Sequence, residues 1–153
     1  MPAIRNLYTL IAREVSVDSN DKMSSIIKII DKFTFSYNPK KMKEQGVTLG
    51  EKPILFDAKY AVTTSWFFGE QLKKDTVLVF KISVSGPGGQ DFGGPSKENL
   101  VPAGFDRMNM NFNTTGLPVT KAGKYTLKAQ VLSKGGKKLA EGEYPFVVEL
   151  IEE

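Results

Sequence analysis

The chain contains neither cysteine nor histidine. Without cysteine there is no disulfide, no thiolate nucleophile and no zinc–thiolate centre. Without histidine, the usual general base near neutral pH and the commonest metal ligand are missing. Ser-His-Asp and Cys-His relays therefore cannot be built. Lysine and paired carboxylates remain for catalysis, but no motif gathers them. The expectation is a non-enzyme with no catalytic residue, no metal and no cofactor. Long apolar runs are also missing, and none approaches the ~20 residues of a membrane-crossing helix. The start, Met1-Pro2-Ala3-Ile4-Arg5, passes at once into a mixture with Asn6, Arg13 and Glu14. A signal peptide would show an apolar stretch and a small-residue cleavage site there. These features predict a cytoplasmic protein without a membrane partner.

What is present suits a small globular protein. A length of 153 residues fits one domain, 1–153, able to bury most of the surface that its unfolded chain exposes. Hydrophobic residues at 41% and charged residues at 25% are ordinary, which excludes a disordered class. The 14 glycines and 8 prolines fit a fold with many tight turns. The net charge of +4 is spread along the chain, with two local clusters, Lys40-Lys41-Met42-Lys43 and Lys134-Gly135-Gly136-Lys137-Lys138. A nucleic-acid footprint concentrates charge on one face, so both clusters read as solvated loop and hairpin-tip residues. Nucleic acid is not the expected partner.

Period-two alternation supplies the fold class. Ala122 to Leu132, the Gly135-Gly136 turn and Leu139 to Val148 form a hairpin, which needs a second sheet over its apolar face. Asn6 to Val17 is apolar on much of both faces, as in a strand near a sheet centre. Met23 to Phe35 is ambiguous: Ile26, Ile27, Ile30 and Phe33 fit helical spacing, while the four isoleucines fit a strand paired back on the first. We favour the strand, because β-branched residues suit a pleated surface. Tyr37 to Pro53 is a long polar connection with one helical turn near Lys40 to Gln45. Ile54 to Phe68 and Thr76 to Ser85 are strands, the latter with Leu78, Phe80, Ile82 and Val84 inward. Gly86 to Pro95 is low in complexity, and the chain runs on through Pro102 without a strand signal. Arg107 to Asn113 alternates strictly with Met108, Met110 and Phe112 inward, and Gly116 to Val119 reads as a bend. The sum is an all-β, antiparallel, immunoglobulin-like sandwich of about seven strands.

With the strands in order, a family resemblance is visible. Met23-Ser24-Ser25-Ile26-Ile27 to Phe33, Asn111-Phe112-Asn113, Gly116-Leu117-Pro118, Ala122-Gly123-Lys124-Tyr125 and Gly136-Lys137 carry it. The chain resembles a family of uncharacterised bacterial proteins known only as a domain of unknown function. Asp21-Lys22, Ile30-Asp31 and Tyr37-Asn38-Pro39 depart from the Gly-Lys pair, the Phe-Asp pair and the aromatic-Pro step of that family. The resemblance implies a small cytoplasmic β-sandwich and brings no catalytic residues with it.

Other constellations have plain readings. Gly86 to Pro95 lacks the Gly-Lys-Ser/Thr and following helix of a phosphate loop, and reads as a flexible connection that can meet a partner. Asp18-Ser19-Asn20-Asp21 lacks the glycine and glutamate of a calcium loop, with Met23 and Ile29 in their places. Gathering of Asp57, Asp75, Asp91 and Asp106 at one sandwich end is the one arrangement that would bind calcium, and no spacing supports it. Trp66-Phe67-Phe68 reads as core with at least one ring outward. Tyr125, after Gly123, reads as a tyrosine-corner residue whose hydroxyl bonds a nearby turn. The expected function is a non-enzymatic binding or structural module with a protein partner, engaged at edge strands or end loops. The alternative is a protein that binds carbohydrate or an anionic ligand through Trp66 to Phe68 or the lysines.

Overall fold

Alternation of apolar and polar side chains drives this chain into strands, and a computed structural model shows how they stack. It describes residues 4–20, 24–50, 52–69 and 72–153. Asp21-Lys22, Met23 and the start at Met1 to Ala3 lie outside those residues. In order, the elements are β1 (Ile4–Val17), β2 (Ser24–Ile29), β3 (Lys32–Tyr37), α1 (Pro39–Glu44), β4 (Ile54–Phe68), β5 (Thr76–Ser85), β6 (Ser96–Val101), β7 (Arg107–Val119), β8 (Gly123–Ser133) and β9 (Lys138–Glu152). They form two sheets, β2-β1-β4-β7 and β3-β9-β8-β5-β6. The architecture is the expected all-β, immunoglobulin-like sandwich.

Five details differ from the sequence reading. The described residues form nine strands rather than about seven. From Ser24 to Phe35 the stretch is extended, as favoured, but it breaks at Ile30-Asp31 into β2 and β3, one in each sheet. β2 pairs back on β1 (Val15 with Ile26), whereas β3 runs parallel to the C-terminal half of β9 (Phe33 with Val148), so the sandwich is not wholly antiparallel. β6 occupies a stretch read as featureless: at the sheet edge its Ser96, Lys97, Glu98 and Leu100 are exposed and only Val101 is fully buried, which leaves no alternation to see. Gly116 to Val119 is the end of β7, not a bend. β7 is an edge strand, where a proline such as Pro118 costs no ladder hydrogen bond.

The interior follows the pattern. Leu78, Phe80, Ile82 and Val84 of β5 face Tyr60, Val62, Trp66 and Phe68 of β4, with Leu127 and Val131 of β8 and Phe146 and Val148 of β9 in the same cluster. Phe33 meets Tyr60 and Phe146 edge-on at 5.4 and 5.6 Å, a preferred aromatic geometry. The sheets come closest where β1 crosses β9. Leu7 is the extra residue of a bulge between Asn6 and Tyr8. The Asn6 amide spans it, donating to the Tyr8 and Ser65 carbonyls at 3.1 and 3.3 Å, while Thr9 Oγ1 donates to Asn6 Oδ1. Gly142 of β9 lies directly against this polar knot, where a Cβ would collide with Asn6 Oδ1.

Tyr125 is 1% exposed and forms the expected corner. Its hydroxyl donates to Lys121 O at 2.6 Å and accepts from the amides of Thr120 and Lys121 at 3.1 and 3.3 Å. The helical turn after β3 is set locally. Pro39 holds the first helical position and Asn38 Oδ1 accepts from Lys41 N at 3.2 Å.

Candidate functional site

Two places on the sandwich have the shape and chemistry to meet a partner. The first is the outer face of the four-stranded sheet. Ile11 and Val62 pair and point into the core, so their neighbours Leu10, Ala12, Ala61 and Thr63 point outward. The ladder then aligns rows across the sheet: Arg5, Phe67 and Arg107; Tyr8, Ser65 and Asn109; Leu10, Thr63 and Asn111; Ile29, Ala12, Ala61 and Asn113. Thr63 Oγ1 donates to Asn111 Oδ1 at 2.7 Å and Arg107 Nε to Ser65 Oγ at 3.1 Å, which ties the β4 and β7 columns together. The face is therefore divided. Its β7 side is a column of amides, and its β2 side is aliphatic, with Ile27 and Ile29 exposed by 42% and 57%.

The second place is a cleft of about 320 Å³ at the lateral seam between the sheets. Ile82, Val84, Leu127 and Tyr60 form its floor, Gly93 to Pro95 one lip, and Thr114 to Gly116 with Leu55 the other. The Tyr60 hydroxyl donates to Gly116 O at 3.3 Å. Burial pushes its phenol above the ordinary value near 10, against a smaller downward pull from Thr114.

The Gly86 to Pro95 segment is correspondingly more ordered than a flexible connection. Phe92 N donates to Val84 O, Val84 N to Gly93 O and Ile82 N to Pro95 O, so the segment prolongs the sheet beyond the end of β6. Gly94 is required there, since a Cβ would strike the Ile82 carbonyl.

The residues singled out for ligand contact are not brought together. Trp66 and Phe68 are each 1% exposed, and Trp66 Nε1 donates inward to Thr64 Oγ1 at 2.9 Å, so neither ring can stack on a sugar. Phe67 turns outward, as alternation requires, and carries the Arg5 guanidinium 5.1 Å from its ring centroid. The two lysine clusters sit at opposite ends of β9. Tyr37, just before α1, pairs with Glu152, whereas the other cluster forms the tip that precedes Lys138. At ~3.3 Å per residue the clusters are roughly 45 Å apart and make no common anion site.

The carboxylates mostly have local tasks. Asp91 Oδ1 accepts from Gly93 N at 2.7 Å and Asp75 Oδ1 from Ala103 N at 2.9 Å. Among the described residues no group of three or more acidic side chains is placed to hold a metal ion, so Asp57, Asp75, Asp91 and Asp106 do not assemble a calcium site. No helix among the described residues is long and apolar enough to cross a membrane.

No family model and no curated protein matches the chain. Among solved structures it is similar to a β-glucuronidase from Bacteroides uniformis, at 13% identity and a TM-score of 0.46 over 63% of this chain and 12% of that one. An immunoglobulin-like protein from Pseudomonas aeruginosa is similar over 95% of this chain and 96% of that one, at 15% identity and a TM-score of 0.35. The Pseudomonas fluorescens alkylpurine DNA glycosylase AlkC aligns over 97% of this chain and 31% of that one, at 11% identity and a TM-score of 0.41. The chain spans between 11% and 15% of the length of the glycosidases it resembles. At these identities and scores the likenesses concern the sandwich and carry no chemistry.

Proposed function

We propose that this chain is a non-catalytic, cytoplasmic binding module that meets a protein partner on the β2 side of its four-stranded sheet. Membership of the uncharacterised bacterial family belongs to the same proposal. The observation that carries it is the pair of exposed isoleucines, Ile27 and Ile29, on an edge strand whose outward side chains lie beside the half-buried Leu10 of β1, over the fully buried Ala12. Edge strands offer unpaired backbone donors and acceptors, and apolar side chains beside them invite strand addition. The other edges carry protection that β2 lacks. β6 bears Lys97 and Glu98, β7 has the Lys97 ammonium bonded to its Asn111 carbonyl, and β3 begins with a Lys32–Glu149 ion pair at 3.3 Å. On β2 the single charge is Lys28, held between the two isoleucines at a left-handed φ of 53°, a strained geometry that tends to be kept where function needs it.

The test is photo-crosslinking from position 29 in the source cells, followed by reconstitution with the purified captured protein. We expect one discrete adduct, and an affinity at least an order of magnitude weaker for an Ile27→Lys, Ile29→Lys variant with unchanged melting. No discrete adduct, or a variant that binds as tightly as the parent, refutes the reading.

A further inference from the structure

The seam cleft lies on the opposite side of the sandwich from β2 and calls for a different kind of ligand. We propose that it is a binding site for a small, uncharged, largely apolar organic molecule. A volume of about 320 Å³ lies within the range of small-molecule pockets and holds about ten water-sized groups. Its floor is aliphatic and aromatic, with Ile82, Val84 and Leu127 between 0 and 5% exposed. Water over such a floor finds few hydrogen-bond partners, and an apolar occupant gains by displacing it.

The polar groups are few and all neutral. They are the Tyr60 phenol, the hydroxyls of Ser83, Thr114 and Thr115, the Asn113 amide, and backbone groups of β7 on the side where that strand has no neighbour. None of the lining residues among those described carries a formal charge. A carboxylate or ammonium would leave water without a counter-charge, whereas a single hydroxyl or carbonyl can be satisfied at the β7 lip. The frame is set before a ligand arrives. Gly94 is pressed against the Ile82 carbonyl on one lip, and on the other the Leu55 side chain rests over Gly116 while remaining 69% exposed. A leucine so exposed at a cleft mouth is the side chain that an apolar ligand would cover.

Three compounds of one shape and different charge provide the test: benzyl alcohol, benzoate and benzylammonium, titrated into the full chain labelled at its isoleucine, leucine and valine methyls. Benzyl alcohol should give saturable shifts concentrated at Ile82, Val84 and Leu127, with both ions weaker by at least an order of magnitude. Leu55→Trp and Pro95→Trp place a large ring at either lip on exposed positions, and each should weaken benzyl alcohol at least fivefold without changing the melting temperature. Equal response to all three compounds, or shifts scattered over the exposed isoleucines, overturns the proposal. So does a response confined to β7 amides, which would mark a sheet-edge interaction, or unchanged binding in both lip variants.

Discussion

Replacing Tyr125 by phenylalanine isolates what one hydroxyl does for this sandwich. The ring would stay in place, stacked on Phe146 with centroids 5.6 Å apart. What disappears is an oxygen that donates to Lys121 O and accepts from the amides of Thr120 and Lys121. Lys121 is exposed and recovers its hydrogen bonds from water. Thr120 is 5% exposed, so its amide becomes a buried donor with nothing to meet. Leaving a buried backbone group unpaired costs about 1–3 kcal/mol. A loss of about 2 kcal/mol corresponds to about 4–8 °C in melting temperature for a chain of this size. Urea unfolding should show an earlier midpoint at an unchanged slope, because the surface exposed on unfolding is the same. Tyr144→Phe is the internal control. Its hydroxyl donates to a single carbonyl, Ile30 O, at 2.9 Å, and should cost under about 1 kcal/mol. A Tyr125→Phe change below about 0.5 kcal/mol, the size of an ordinary surface substitution, would refute the reading that this corner holds the β7–β8 connection.

Further outcomes follow from other contacts. Gly142→Ala should destabilise by about 1–3 kcal/mol through overpacking against Asn6, and adding Asn6→Ala should cost less than the sum of the two single changes in a denaturation cycle, since both act on one contact. Lys97→Ala removes the ammonium that bonds Asn111 O and lies 4.9 Å from the Phe112 ring centroid. It should leave melting nearly unchanged but raise concentration-dependent light scattering, because the β7 edge is then open to pairing. Burial raises the Tyr60 phenol above about 10, and Tyr144 is raised by burial and by Asp31. The unfolded phenols therefore ionise first as pH rises. Stability from these groups is complete below pH 10 and declines as pH passes through the raised folded values. Denaturant midpoints measured across that interval should fall, and Tyr60→Phe should flatten the decline.

The parts of this fold that were legible in the sequence are those where one face of a strand is dry and the other wet. Leu78, Phe80, Ile82 and Val84 announce β5 because each points into the core while its neighbours lean outward. Tyr125 announces the corner because a tyrosine just after a glycine turn has one place to put its hydroxyl. β6 gave no such signal. It is a strand by virtue of hydrogen bonds to β5 alone, and backbone pairing leaves no trace in side-chain type. The break at Ile30-Asp31 was hidden for the opposite reason. Apolar residues stand close on both sides of it, Ile29 and Ile30 before Asp31-Lys32 and Phe33 and Phe35 after, and composition cannot say which layer a strand has joined.

The candidate sites divide along the same line. Trp66 and Phe68 drew attention as an aromatic cluster, yet alternation on a strand covered by the second sheet assigns them to the core, and only Phe67 reaches outward. The seam cleft, in contrast, is built from Tyr60, Ile82, Leu127 and Gly116, residues on four different strands with no shared motif. Its signal is an absence of charge, which becomes visible only once the sheet order places those strands together. Gly94 was the one local hint. A glycine inside a Gly-rich loop looks like flexibility, but here it permits the chain to press on the Ile82 carbonyl and so shapes a lip. Low complexity thus marks close backbone approach in this loop. Substituting Gly94 with alanine should therefore alter the cleft's ligand response before it alters anything at β2, because the cleft and β2 lie at opposite edges of the four-stranded sheet.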